Sequence, residues 1–567
     1  RGLTHRPGRG GRLMAATLLR GGTVIDGTGA PALDADVLLV DGRVAAVGPG
    51  LDAPEGTEVV DCSGLVVAPG FIDPHTHYDA QVLWDPEVTP SSWHGVTTVV
   101  VGNCGFGIAP TRPEHRPTIL RTLENVEGMP LDALEAGIPW GFETFPEYLD
   151  AVDAQPLGIN VAALLGHTPL RFFVLGDDAT ERVATPDEVA RMEQLVGEAL
   201  DAGAVGFSTS RTESHLGAYG KPVPSRVCDL DEIRTLAGVL GTKGKGTLES
   251  TWGPDLFVDE FADIARSTGR PVSWAALMTS RRNPGHAPTV AAQVAAAAEA
   301  GGTVRPQVAC RPIVVQLALS DPFAFANVPA FGEILAVEHE QRAALYATDG
   351  WRERAHLQMG EAWGDILDYA VVSESEAHPE LVEAGTVGEM AEASGITAID
   401  LMVELALAEG LATRFTIAMI NDNEDEVAAL LADDNFLLGL SDAGAHTSQL
   451  CDANYATYLL QHWWREKQAI SLEKAVWRLT GQPAEVYGLS DRGRLEPGTA
   501  ADVVVFDPAT VGTTRARRVA DFPAGADRLV ADSIGIVHTW VGGVHTRRDG
   551  EQVAGLGAGT LLRGGTA

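Results

Sequence analysis

The chain has 567 residues, 45% hydrophobic and 21% charged, so a large packed core is within reach and wholesale disorder is excluded. Its formal net charge of −36 would repel phosphate backbones and anionic lipid, which sets aside nucleic acid and membrane surfaces as partners. The five cysteines, Cys62, Cys104, Cys228, Cys310 and Cys451, are odd in number and scattered, unlike a disulfide framework, and point to a reducing cytoplasm.

Residues 1–13 are basic and glycine-rich, lack the apolar core of a signal peptide, and read as a disordered or non-native extension, with Met14 a candidate start. No run approaches the roughly 18 apolar residues that cross a bilayer. From 15 to 70, short Val/Leu-rich runs alternate with Gly, Asp and Pro, the pattern of a small β unit. The same texture returns at 493–507 and 536–544, so residues 15–70 and 488–560 are predicted to form one β-sandwich from both chain ends.

Between them, at 71–487, short aliphatic runs alternate with helical stretches, the signature of βα units around a parallel sheet. The candidate strands are 71–73, 96–101, 160–165, 205–208, 247–249, 271–277, 415–420 and 437–440, a count that suits a TIM-type (β/α)8 barrel. The stretch 310–385 breaks the alternation and reads as an insertion, either a lid or a structural excursion.

The strongest local signal is the first of these strands, which runs through Gly70-Phe-Ile-Asp-Pro into His75-Thr76-His77. In extended backbone, residues two apart share a face, so both imidazoles can converge on one ion; neutral imidazole suits zinc, nickel, iron or copper. The last candidate strand ends in Ser441-Asp442. A Ser-Asp pair after a strand is ordinarily a helix cap, but a closed barrel brings its last strand beside its first. Asp442 would then approach His75 and His77, where a carboxylate can ligate a metal and accept a proton from water. Nucleotide-binding and serine-hydrolase alternatives fail on spacing: Gly206-Phe-Ser-Thr-Ser lacks the second glycine of a nucleophile elbow, and no phosphate-binding glycine loop occurs.

The motifs Gly70-Phe-Ile-Asp-Pro-His-Thr-His, Gly95-Val-Thr-Thr-Val-Val-Val-Gly-Asn-Cys-Gly-Phe, Gly166-His-Thr-Pro-Leu-Arg, Ala204-Val-Gly-Phe-Ser-Thr-Ser, Ser441-Asp-Ala-Gly-Ala-His and Gly493-Arg-Leu-Glu-Pro-Gly-Thr-Ala-Ala-Asp together span most of the chain. On them the sequence resembles the amidohydrolase superfamily, and within it the N-acyl-D-amino-acid deacylase group. The resemblance implies a metal-bearing (β/α)8 barrel with a β-sandwich. It also implies ligands: His75 and His77 match the family's first-strand pair, Asp442 its last-strand aspartate, and Cys104 the cysteine after its second strand. Where those deacylases carry histidines at strands five and six, this chain reads Thr247-Leu-Glu-Ser-Thr-Trp and Val272-Ser-Trp-Ala. Glu249 stands near the strand-five position and could donate a carboxylate instead.

His167, Arg211 and Tyr219 follow later strands and are candidates for substrate binding, with structural or solvated roles as the alternative. The implied function is hydrolysis of a carbon–nitrogen amide bond in a small-molecule substrate, an N-acyl-D-amino acid or close relative. The implied cofactor is a divalent transition metal, Zn2+ in the first place, with one ion firmly bound and a second left open. A cyclic-amide hydrolase of the hydantoinase or dihydroorotase kind, a peptide-type amidohydrolase and a non-catalytic scaffold without metal are the competing readings. Oligomeric state stays open, a homo-oligomer included.

Overall fold

The computed structural model describes residues 16–553 and 555–564; the extension expected at 1–13 lies outside them. Contacts divide the chain into two units, the first made of residues up to 277, 289–310 and 428 onward, the second of 278–288 and 311–427.

The first unit holds an eight-stranded parallel sheet: β1 (Phe71–Asp73), β2 (Val96–Val101), β3 (Asn160–Gly166), β4 (Gly206–Thr209), β5 (Thr247–Thr251), β6 (Val272–Ala275), β7 (Val304–Val308) and β8 (Leu437–Leu438). The strands pair in that sequence, each with its predecessor. Strands β2 and β3 are buried at every position, as strands covered on both faces must be. The two ends of the sheet meet beyond β1 and β8, where Thr76 bridges Ala443 in parallel and the His77 amide donates to the Ala443 carbonyl at 2.7 Å. The Ser441 hydroxyl adds a side-chain fastener, donating to Asp73 Oδ2 at 2.7 Å and to the His75 carbonyl at 3.1 Å. This is the (β/α)8 barrel expected from the sequence.

The two chain ends share one nine-stranded sheet. Val503–Phe506 pairs with Val66–Pro69 on one side and Ile536–Val541 on the other, so C-terminal strands complete what N-terminal strands begin. Leu19, Val37, Val67, Val503, Val505 and Trp540 bury one common core between them. A buried Asp502 joins this sheet to the barrel: its carboxylate accepts from Asn160 Nδ2 at 2.9 Å and its carbonyl from the Gly70 amide.

One predicted barrel strand lies elsewhere. Arg414–Ile420 is the middle strand of a three-stranded antiparallel sheet in the second unit, between Ile313–Ala318 and Val371–Glu374. Its burial alternates, which marks a strand covered on one face, whereas a barrel strand is buried on both. The seventh barrel strand is instead Val304–Val308, whose Arg305 and Pro306 masked it in the sequence. The second unit has its own core, in which Trp351 meets Phe331 and Tyr346 edge to face and Phe325 packs at a tilt on Phe331.

Candidate metal centre

His75 and His77 follow β1 directly, His75 at a bend in the chain, both buried, their rings 5.4 Å apart. Cys104 reaches the same point from a tight turn after β2, Asn103–Gly105, in which Cys104 itself has φ +54. Gly102 opens that turn at φ +84, and a Cβ there would sit 2.3 Å from the Leu164 carbonyl oxygen, so only glycine lets the turn press against β3. Asn103 Nδ2 donates to the carbonyls of Thr76 and Val100, pinning the turn to the segment that bears the histidines. Asp442, also in left-handed backbone (φ +46), comes from the loop after β8.

The donor atoms converge. His75 Nε2 lies 3.1 Å from Asp442 Oδ1 and 3.3 Å from Cys104 Sγ, and His77 Nε2 lies 3.5 Å from the same Asp442 oxygen. Two ligands at a tetrahedral angle, each about 2.1 Å from an ion, stand roughly 3.4 Å apart. These separations therefore match the edges of a coordination shell, and the imidazole, thiolate and carboxylate donors suit a transition metal. Among the described residues, His75, His77 and Cys104 form one of two groups able to hold an ion.

Two buried carboxylates flank the cluster. Glu249 comes from β5, in register with Ser208 of β4 and Ser273 of β6. Its Oε2 accepts from the Cys104 amide at 2.7 Å, while Oε1 has no hydrogen-bond partner and faces His75 Nδ1 at 3.9 Å. A buried carboxylate oxygen left unpaired is costly unless a cation or proton completes it. Glu127, at the end of helix Arg116–Glu127, places Oε2 3.6 Å from His77 Nε2. Nothing in the sequence singles out Glu127, because a single acidic residue at a helix end carries no periodic signal.

Electrostatics follow the geometry. Burial alone would raise the Asp442 carboxyl and depress the His75 imidazole. The hydrogen bond between them reverses both, holding Asp442 well below the usual carboxylate range and lifting His75 to about 9. Burial pushes Glu249 up to about 7 and the Cys104 thiol well above its ordinary value, a cost that a divalent cation would offset. Asp442 keeps 29% of its side chain exposed while both histidines are buried, so the cluster opens to solvent on the aspartate side.

Of the three residues expected to bind substrate, His167 and Arg211 are held by hydrogen bonds within the protein and Tyr219 is exposed. His167 Nε2 meets Glu232 Oε1 at 2.8 Å and Nδ1 meets Thr209 Oγ1 at 2.8 Å, while Arg171 also grips Glu232. His167, Glu232 and Cys228 are the second group able to hold an ion, but the Arg171 guanidinium already neutralises that carboxylate. The Arg211 guanidinium is bound by Asp255 and by the carbonyls of Ser225, Arg226 and Cys228. Tyr219 is 75% exposed.

Comparison with known proteins agrees with this architecture. Residues 58–546 match the profile of a family described as "Amidohydrolase family". A D-aminoacylase of Alcaligenes xylosoxydans xylosoxydans is 31% identical over 88% of this chain and 89% of its own. An N-acyl-D-aspartate deacylase of the same organism is 30% identical over 98% and 96%. Among solved structures, an N-acyl-D-glutamate deacylase from Bordetella bronchiseptica, complexed with zinc and a phosphonate that mimics the tetrahedral intermediate, is 29% identical with a TM-score of 0.64. It is matched over 96% of this chain and 99% of its own.

Proposed function

This chain belongs to the amidohydrolase family, and on that premise we propose that it is a zinc-dependent hydrolase of a carbon–nitrogen amide bond, acting on an N-acyl-D-amino acid or a close relative. The observation that carries the reading is the convergence of His75 Nε2, His77 Nε2, Cys104 Sγ and Asp442 Oδ1 at one point, in a chain similar to deacylases along nearly its whole length.

His75, His77, Cys104 and Asp442 would hold the ion, with Glu249 beside it. A divalent cation bound there supplies Lewis acidity, which makes water a nucleophile at neutral pH and polarises the scissile carbonyl. Asp442 turns one oxygen to the two histidines and stays ionised, so its other oxygen can take the proton of the attacking water. The same oxygen returns that proton to the departing amine nitrogen, which leaves as a neutral amine.

The cytoplasm suits the chain, because its five cysteines are scattered and all buried, unlike a disulfide framework. No helix of the described residues is long and apolar enough to cross a membrane.

The test is a substrate screen on zinc-loaded protein, comparing N-acetyl-D- with N-acetyl-L-amino acids, hydantoins and small peptides, alongside metal content. Turnover of D-enantiomers and at least one equivalent of metal are expected. Turnover of cyclic amides alone would overturn the deacylase assignment, and failure to take up metal would overturn the hydrolase.

A further inference from the structure

His75 can ligate an ion through Nε2 only if its proton resides on Nδ1, and that requires an acceptor facing Nδ1. Three groups bear on the choice. Glu249 Oε1 is 3.9 Å from Nδ1, beyond hydrogen-bonding range. Gln307 Oε1, from β7, is 2.7 Å away. The carboxamide is itself oriented, because Gln307 Nε2 donates to Ser273 Oγ of β6 at 3.1 Å. All three side chains are fully buried. Space for the carboxamide comes from Gly439, just past β8, where a Cβ would stand 3.1 Å from Gln307 Oε1 and 3.2 Å from Pro74 Cγ.

We propose that Gln307 is the positioning residue of the metal centre: held by Ser273, it fixes His75 as the Nδ1–H tautomer and presents the Nε2 lone pair to the ion. The inference rests on the metal-dependent reading above. It also gives a role to Ser273, the β6 residue in register with Glu249. Here β6 serves the centre through a hydrogen-bonded relay to His75.

Removing such a partner of a metal-bound imidazole costs about 10- to 100-fold in affinity. The experiment is a competition titration of zinc against a chelating indicator, with cobalt(II) absorption spectra, on wild type, Gln307→Met, Gln307→Glu and Ser273→Ala, each checked for folding by circular dichroism. Gln307→Met, near in volume but without an acceptor, is expected to lose about 10- to 100-fold in affinity and to alter the cobalt ligand-field bands. Gln307→Glu restores an acceptor and is expected to bind within a few-fold of wild type, and Ser273→Ala to lose less than Gln307→Met. Wild-type affinity in Gln307→Met, or a loss in folded Gln307→Glu equal to that in Gln307→Met, overturns the proposal while leaving the metal site intact. Absence of zinc binding by the wild type would overturn both readings.

Discussion

His75 Nε2 and Asp442 Oδ1 lie 3.1 Å apart although they belong to the first and last strands' ends of the barrel, and the carboxylate reaches His77 as well. That contact exists only because the sheet closes, through the Thr76–Ala443 bridge and the Ser441–Asp73 hydrogen bond. Expectations for function and stability follow from it.

Asp442→Asn keeps the size of the side chain and removes its basicity. We expect kcat to fall by about 10²- to 10⁴-fold, the usual contribution of a general base, with a cooperative thermal melt showing that the fold is kept. Steady-state kinetics and a thermal melt on the same preparation check this; a variant with near-normal kcat would remove Asp442 from proton transfer.

Metal removal should destabilise the first unit. Zinc bound to the native state alone adds RT ln(1 + [L]/Kd), about 4 kcal/mol at a thousandfold excess over Kd. Denaturant unfolding of chelator-treated protein, with and without added zinc, measures the gain. In the cobalt-substituted protein, a near-ultraviolet thiolate-to-metal band should be present in wild type and absent in Cys104→Ser; its presence in both would mean that Cys104 is not a ligand.

Arg171 and Glu232 form a buried ion pair that also holds His167. Arg171→Met strands the Glu232 charge and is expected to cost about 3–5 kcal/mol, while metal affinity stays within about twofold of wild type. Denaturant melts and a zinc titration separate the two effects. A large loss of metal affinity without loss of stability would contradict the structural role of this cluster.

Asp79 is buried near the centre, and burial lifts its carboxyl from 3.8 to about 7, against hydrogen bonds from the Gly102 amide and its own. Because its folded pKa lies above the unfolded one, the native state binds the extra proton between those values. The associated stability is fully present below pH 4 and is lost as pH rises through 7. Relative to Asp79→Asn, wild type should therefore lose on the order of 3 kcal/mol between pH 4 and pH 8. Urea melts of both proteins across that range test the sign; a difference that grows with pH would contradict it.

Much of this was legible in the sequence, because local chemistry dictates it. Alternation of aliphatic runs with helices specifies a parallel barrel, and the His75-Thr76-His77 spacing places two imidazoles on one face of extended chain whatever surrounds them. The turn at Cys104 is likewise written locally, in Gly102 and Gly105. Where local pattern and tertiary setting diverge, the sequence misled. Phe415–Ile420 has the composition of a barrel strand but is covered on one face in a separate sheet, while Val304–Val308 hides a true barrel strand behind Arg305 and Pro306.

Partnership across the barrel was decided by the tertiary structure alone. Asp442 could be proposed beside the histidines only by assuming closure, and Glu127 and Gln307 could not be found at all, since nothing in a helix end or in one polar strand residue says which distant group it faces. Residue type and spacing set what a side chain can do. Only the packing of strands hundreds of residues apart decides what it meets, which is why the candidate ligands, Glu249 included, were readable in the chain and Glu127 and Gln307 were not.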